Sequence, residues 1–191
     1  MKTPSLETKL IHAGEPSPRL LGAVSMPIFQ SSTFEYDDAG SYNDLRYIRL
    51  NNTPSHASLH GKLAAIEDAE SAVATASGMA AISTTLLALL QGGDHLLVQR
   101  ALYGGTHDFI HRDLPALGIT AAVIDAAAPE TWAGALQPRT KVIYVETLSN
   151  PLLEVPHLPA LVKFAAAALP RCAGTIGTPM LSIHAVCLRT R

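Results

Sequence analysis

Cysteine is scarce in this chain: there are two, Cys172 and Cys187, both in the last stretch. Two cysteines do not make a disulfide framework, and their placement suggests no metal site. Charge of one sign is missing as well. The formal net charge is −2 with no Lys/Arg-rich cluster, which excludes the basic field that nucleic-acid binding needs. Long hydrophobic runs are absent, because Ser, Thr or Gly interrupts every apolar stretch before it could span a bilayer. The opening MKTPSLETKLIHAGEP has no apolar segment of the secretory kind, so a cytoplasmic protein is expected. What remains is a chain of 191 residues that is 48% hydrophobic and only 16% charged, enough for one domain with a real core.

The most informative stretch is AVATASGMAAISTTLLALLQ at 72–91. A short apolar run predicts a strand that breaks at Ser77-Gly78 and feeds a helix from Gly78 to Gln91, apolar nearly all round and therefore enclosed. Residues 1–46 show no sustained periodicity and predict an extended or loop-rich arm. Thr53-Pro54 reads as N-cap and first residue of a helix, with Leu59, Leu63 and Ile66 as its buried stripe. Further strands are predicted at His95–Gln99, Ile119–Ile124 and Val142–Glu146. Helices are predicted from the Tyr103-Gly104-Gly105 turn to Leu117 and over His157–Ala168. Alternating buried strands and helices imply an α/β fold with a mostly parallel sheet covered by helices. Ligands in such sheets gather beyond the carboxyl ends of the strands, where the loops at Ser77–Met79, Tyr103–Gly105 and Glu146–Pro151 should converge.

A strand running into a helix start offers free N–H groups and the positive end of the helix dipole, an anion site suited to phosphate. Neither the P-loop pattern GxxxxGK[ST] nor the dinucleotide pattern GxGxxG occurs. The residues around Ser77, Thr-Ala-Ser-Gly-Met, also fail the GxSxG elbow at its first glycine. A single phosphate at one helix start, with an aromatic residue on a neighbouring loop, is what is left.

An ordered series of short motifs makes that more specific. Thr8 to Gly14 and Pro27 to Phe34 come first, then Tyr47-Ile48-Arg49, Asn52-Thr53-Pro54, Leu63 to Glu67 and Ser77-Gly78-Met79-Ala80-Ala81. Gly93-Asp94, Tyr103-Gly104-Gly105-Thr106, Glu146-Thr147 and Ser149-Asn150-Pro151 follow. From about Leu6 to Ala168 the series resembles the trans-sulfuration (Cys/Met metabolism) family of pyridoxal-phosphate enzymes: cystathionine lyases, cystathionine γ-synthase and methionine γ-lyase. The resemblance implies an N-terminal arm (1–52) and part of the large cofactor-binding domain of a fold-type-I, aspartate-aminotransferase-like enzyme (53–168), with a divergent tail over 169–191. It implies pyridoxal 5'-phosphate as cofactor and a sulfur amino acid of the cystathionine, homocysteine or methionine type as substrate. A homo-oligomer, a dimer of dimers in relatives, is also implied.

By the same resemblance, Gly78 and Met79 donate backbone N–H groups to the cofactor phosphate. Tyr47 and Arg49 reach the phosphate of a neighbouring subunit, a task suited to the rigid guanidinium fork. Tyr103 stacks on the ring and is the one catalytic residue assigned, Asn150 hydrogen-bonds the ring hydroxyl, and Glu146 lies beside it. The family's lysine that tethers the cofactor, and the acid that pairs with its ring nitrogen, have no counterpart in this chain. Of the five lysines, Lys2 and Lys9 lie in the arm and Lys62 and Lys163 on helices. Lys141 starts a strand and sits about 17 Å from its active end. A truncated product, inactive alone, is the expectation, or else a shortened subunit that pairs with a full-length homologue.

Two histidine pairs, His107/His111 and His56/His60, have the i, i+4 spacing of a zinc helix. The first has Asp108 where a metalloprotease needs Glu, the second has no acid, and neither has a third ligand, so helix-surface or packing roles are expected and no metal. Trp132 follows a Pro-Glu-Thr helix start and is expected to pack.

Overall fold

A computed structural model describes residues 4–36 and 40–168, in two compact units that divide after Ala74. The helix at 54–66 thus groups with the arm, where the sequence placed the boundary at 52/53. The expected tail at 169–191, with both cysteines, lies outside the described residues.

The first unit is more regular than a loop-rich arm. Helix α1 (Leu6–His12) starts at Ser5, whose hydroxyl accepts the Thr8 N–H. It packs on α2 (Pro54–Ile66), capped by Thr53 with Pro54 in the first turn as expected. Gly14 lets the two helices close up. A Cβ there would lie 2.3 Å from the Ser58 carbonyl oxygen, and its φ of +75° favours glycine in any case. Lys9–Asp68 and Lys62–Glu15 ion pairs tie the arm to α2. The predicted stripe on α2 is not the buried face: Leu59 is exposed, and Ala64 is the buried residue. Small side chains let α1 approach, so packing overrode the hydrophobic pattern. An isolated antiparallel bridge joins Thr33 to Tyr47.

The second unit is a three-layer α/β arrangement. Helix α3 (Gly78–Leu89) precedes β1 (His95–Gln99), which is buried throughout. Helix α4 (Gly104–Asp108) runs on through a π-helical turn at Phe109–Asp113 into α5 (Leu114–Ala116). Gly118, at φ +74°, makes the reversal into β2 (Thr120–Ile124). Helix α6 (Pro129–Trp132), β3 (Thr140–Tyr144) and α7 (Leu158–Ala168) complete the unit. The sheet is parallel in the order β2-β1-β3. Alternation along the strands sends side chains to opposite faces. Leu96, Val98, Val142 and Tyr144 pack with Ile82, Leu86 and Leu90 beside α3, while Leu97, Ile143 and Val145 pack with Trp132, Leu161 and Ala165. Trp132 is buried, donates to the Asp125 carbonyl and meets Phe164 edge-on at 5.5 Å, a packing residue as expected.

Two expectations change here. The run at 72–76 forms no strand: Val73 is exposed and the Ala74 carbonyl accepts the Asn51 side-chain amide at 2.8 Å in place of a ladder partner. Among the described residues the sheet therefore has three strands. Helix α3 is buried on one face only, with Leu87 exposed on the other. No described helix is long and apolar enough to cross a membrane.

Candidate functional site

The start of α3 is built for an anion. Ser77 adopts extended backbone, its hydroxyl accepts the Ala80 N–H at 3.0 Å, and its carbonyl accepts the Ala81 N–H. Thr75 fixes the turn by donating its hydroxyl to the same carbonyl at 2.9 Å. The cap thus uses the third and fourth N–H groups of the helix. Those of Gly78 and Met79 take no acceptor among the described residues. Two open donors at the positive end of a twelve-residue helix make a site suited to the acceptor oxygens of a phosphate.

The loop after β1 comes against this start. Tyr103 is half-exposed, and Gly105 lies between it and Met79: a Cβ at Gly105 would sit 2.8 Å from Tyr103 Cε1 and 3.2 Å from Met79 Sδ. Only the bare glycine lets ring and thioether pack there. A Cβ at Gly104 would meet nothing, so space stays open beside the tyrosine. Thr106 donates its hydroxyl to Met79 Sδ at 3.8 Å.

The loop after β3 is fastened to the same place by Glu146. The Tyr103 N–H donates to both carboxylate oxygens at 3.1 Å, and the Asn150 N–H and the Thr106 side chain stand beside the carboxylate and favour its charged form. The Glu146 N–H is held by Gln99 Oε1 at 2.9 Å, and Gln99 donates on to the Ala101 carbonyl. Burial pushes the Glu146 carboxyl above its ordinary range, opposed by the donors from Tyr103, Asn150 and Thr106. The Tyr144 phenol is pushed up by burial and by the nearby Glu146 charge. The segment after Glu146 closes on itself through Ser149, which accepts the Leu153 and Glu154 N–H groups and donates to the Glu154 carbonyl. The Asn150 side chain is left exposed.

Five of the seven residues singled out in the sequence, Gly78, Met79, Tyr103, Glu146 and Asn150, therefore belong to one cluster in the second unit. Tyr47 and Arg49 belong to the first unit. There the Tyr47 N–H is held by Asn52 Oδ1 at 3.0 Å, and Arg49 donates to the Tyr47 hydroxyl with its guanidinium 4.8 Å from the ring centroid. Arg49 is exposed. Gln99, Gly105 and Thr106 carry the cluster without having been assigned roles. The signal for Thr106 is its place in the first turn after Tyr103, and for Gln99 its polar side chain at the end of an apolar strand. The His107 and His111 rings stand 4.5 Å apart and those of His56 and His60 6.1 Å apart. The described residues contain no group of three or more His, Cys, Asp or Glu placed to hold a metal.

The pieces fit a phosphate joined to a flat ring: open N–H donors for one, a half-exposed aromatic side chain and a Cβ-free gap for the other. The comparisons agree. A sequence profile described as Cys/Met metabolism PLP-dependent enzyme matches residues 7–182, past the Ala168 at which the resemblance was expected to stop. A probable cystathionine gamma-synthase from Herpetosiphon aurantiacus is 38% identical over 158 residues, which are 83% of this chain and 49% of the relative. An L-methionine gamma-lyase from Fusobacterium nucleatum subsp. polymorphum is 40% identical over 168 residues, 84% of this chain and 42% of the relative. The crystal structure of cystathionine gamma-lyase from Lactobacillus plantarum complexed with L-serine matches with a TM-score of 0.78 at 34% identity, covering 92% of this chain and 46% of that one. The chain thus spans under half the length of these relatives, and its α/β sheet corresponds to part of their fold. Matched over most of its length, the chain belongs to the Cys/Met metabolism family of enzymes that depend on pyridoxal 5'-phosphate.

Proposed function

We propose that this chain supplies the phosphate cup and ring platform of a carbon–sulfur lyase or γ-replacement enzyme of the cystathionine-lyase kind, acting on a sulfur amino acid. The observation that carries this is the pair of open N–H groups at Gly78 and Met79 beside the Tyr103 ring. Gly78 and Met79 hold the phosphate, Tyr103 stacks on the ring and orients it, and Asn150 donates to the ring hydroxyl. Bound pyridoxal phosphate supplies an electron sink for charge developing at the substrate α-carbon. Arg49, exposed in its own unit, and the half-buried Tyr47 that it bonds serve the phosphate of another subunit in a homo-oligomer.

No lysine of the described residues is placed as a tether. Lys141 sits at the start of β3, with its Nζ 3.3 Å from Asp94, at the end of the sheet opposite Glu146. Lys163 lies within α7. Lys9 and Lys62 are ion-paired inside the first unit. The 191-residue chain by itself accordingly binds the cofactor without turning over substrate. The exposed Arg49 supports a second role, a subunit that lends Tyr47 and Arg49 to a full-length homologue. Titration with pyridoxal phosphate tests the first: saturable binding without the absorption band of a lysine adduct and without thiol release is expected, and either of those signals contradicts it. Co-purification with a full-length homologue, lost in Arg49→Ala, tests the second.

A further inference from the structure

The three loops of the site meet on one side chain, and that side chain faces inward. Glu146 is wholly buried, while Tyr103 is half-exposed and the Asn150 side chain is open to solvent. Its carboxylate accepts the Tyr103 N–H on both oxygens at 3.1 Å, and the Asn150 N–H and the Thr106 side chain stand beside it and favour its charged form. Behind it, Gln99 holds the Glu146 N–H at 2.9 Å and so anchors the end of β3 to the end of β1. We propose that Glu146 is a positioning residue, whose carboxylate clamps the backbone at Tyr103 to the backbone at Asn150 and touches no part of the cofactor. This rests on the assignment of Tyr103 and Asn150 to the cofactor made above.

The chemistry favours a carboxylate at that spot. Tyr103 and Asn150 both present N–H donors, and a buried donor left unpaired is costly. A carboxylate accepts on both oxygens and donates nothing once ionised. A glutamine would keep the shape but turn an NH2 group toward donors. The clamp sets the spacing between the Tyr103 ring and the Asn150 amide, which have to engage opposite features of one flat molecule. Thr106, beside the same carboxylate, donates its one hydroxyl proton to Met79 Sδ on the helix that carries the phosphate donors. The other titratable group beside it, Tyr144, has its hydroxyl buried without a hydrogen-bond partner and stays neutral at ordinary pH.

The test uses the full 191-residue chain in two arms. In the first, the amide resonances of Tyr103 and Asn150 are followed through an acid titration by NMR. Both are expected to shift along one curve whose midpoint lies above the ordinary carboxylate range, because both bonds end on the same raised carboxyl. In the second, pyridoxal phosphate and inorganic phosphate are titrated onto wild type and Glu146→Gln. Pyridoxal phosphate should weaken about tenfold or more in the variant, while inorganic phosphate, which needs only Gly78 and Met79, keeps its affinity. Amides that titrate independently, or a variant that loses both ligands equally, would overturn the clamp. If wild type binds neither ligand, the assigned function fails, and the amide titration still decides the clamp. It does the same if the variant does not fold.

Discussion

Asp94, with no exposed surface, holds Lys141 at 3.3 Å and Arg139 at 3.4 Å. The pair crosses the register irregularity that sets Val142, not Lys141, opposite Leu96. Asp94 also accepts the Gln91 N–H at 2.9 Å. One carboxylate thus fixes the entry to β1 and the entry to β3, at the end of the sheet away from the cofactor cluster. Asp94→Ala should cost about 1–3 kcal/mol, through the unpaired Gln91 donor and the lost charge-assisted bonds. A shift in the urea midpoint without a change in slope is the expected signature.

The same carboxylate and its neighbour set the acid limb of stability. Burial pushes Asp94 up, but the Gln91 N–H, Lys141 and Arg139 outweigh it, and the net shift is downward. His95 is pushed down by burial, with its Nδ1 2.8 Å from Thr140 Oγ1 and its Nε2 unpartnered. A depressed folded pKa means stability that is complete above the unfolded value and lost as pH falls through the folded one. Loss should therefore begin below about pH 6.5 through His95 and continue below about pH 4 through Asp94. In His95→Leu the first step shrinks in a plot of Tm against pH to the part left by His60 and His111, which burial also pushes down, while Asp94→Asn flattens the second.

Gly105→Ala should push the Tyr103 ring off Met79. A Cβ 2.8 Å from the ring edge leaves the ring, the far end of a rotatable side chain, as the part that yields. Pyridoxal phosphate affinity should fall about tenfold with little change in Tm, since one ring contact is worth about 1 kcal/mol. Unchanged affinity would mean that Tyr103 does not face the cofactor.

Much of this was readable from residue order. The apolar runs at 95–99, 119–124 and 142–146 became β1, β2 and β3 within a residue or two, because each is long enough to fill a buried strand. The Ser77-Gly78 break marked the start of α3, since a hydroxyl before an apolar helix is a cap. The run at 72–76 looked like a strand and was not one, because a strand needs a neighbour and composition does not report whether one exists. Helix α1 went unread for the converse reason: Leu6, Leu10 and Ile11 are exposed, and its order comes from the Ser5 cap and from packing on α2. The roles of Gln99, Gly105 and Thr106 depend on contacts between loops far apart in the chain, which spacing does not encode.

The claim that Gly78 and Met79 form the phosphate cup is tested most directly by Gly78→Pro. Proline is suited to the first helical position, and Ser77, at φ −161° and ψ 162°, already has the extended backbone that must precede it. The substitution therefore removes one N–H donor while leaving the helix intact. Pyridoxal phosphate and inorganic phosphate should both bind the variant about tenfold or more weakly, with an unchanged far-UV spectrum. Wild-type affinity for both ligands in the folded variant would contradict the cup.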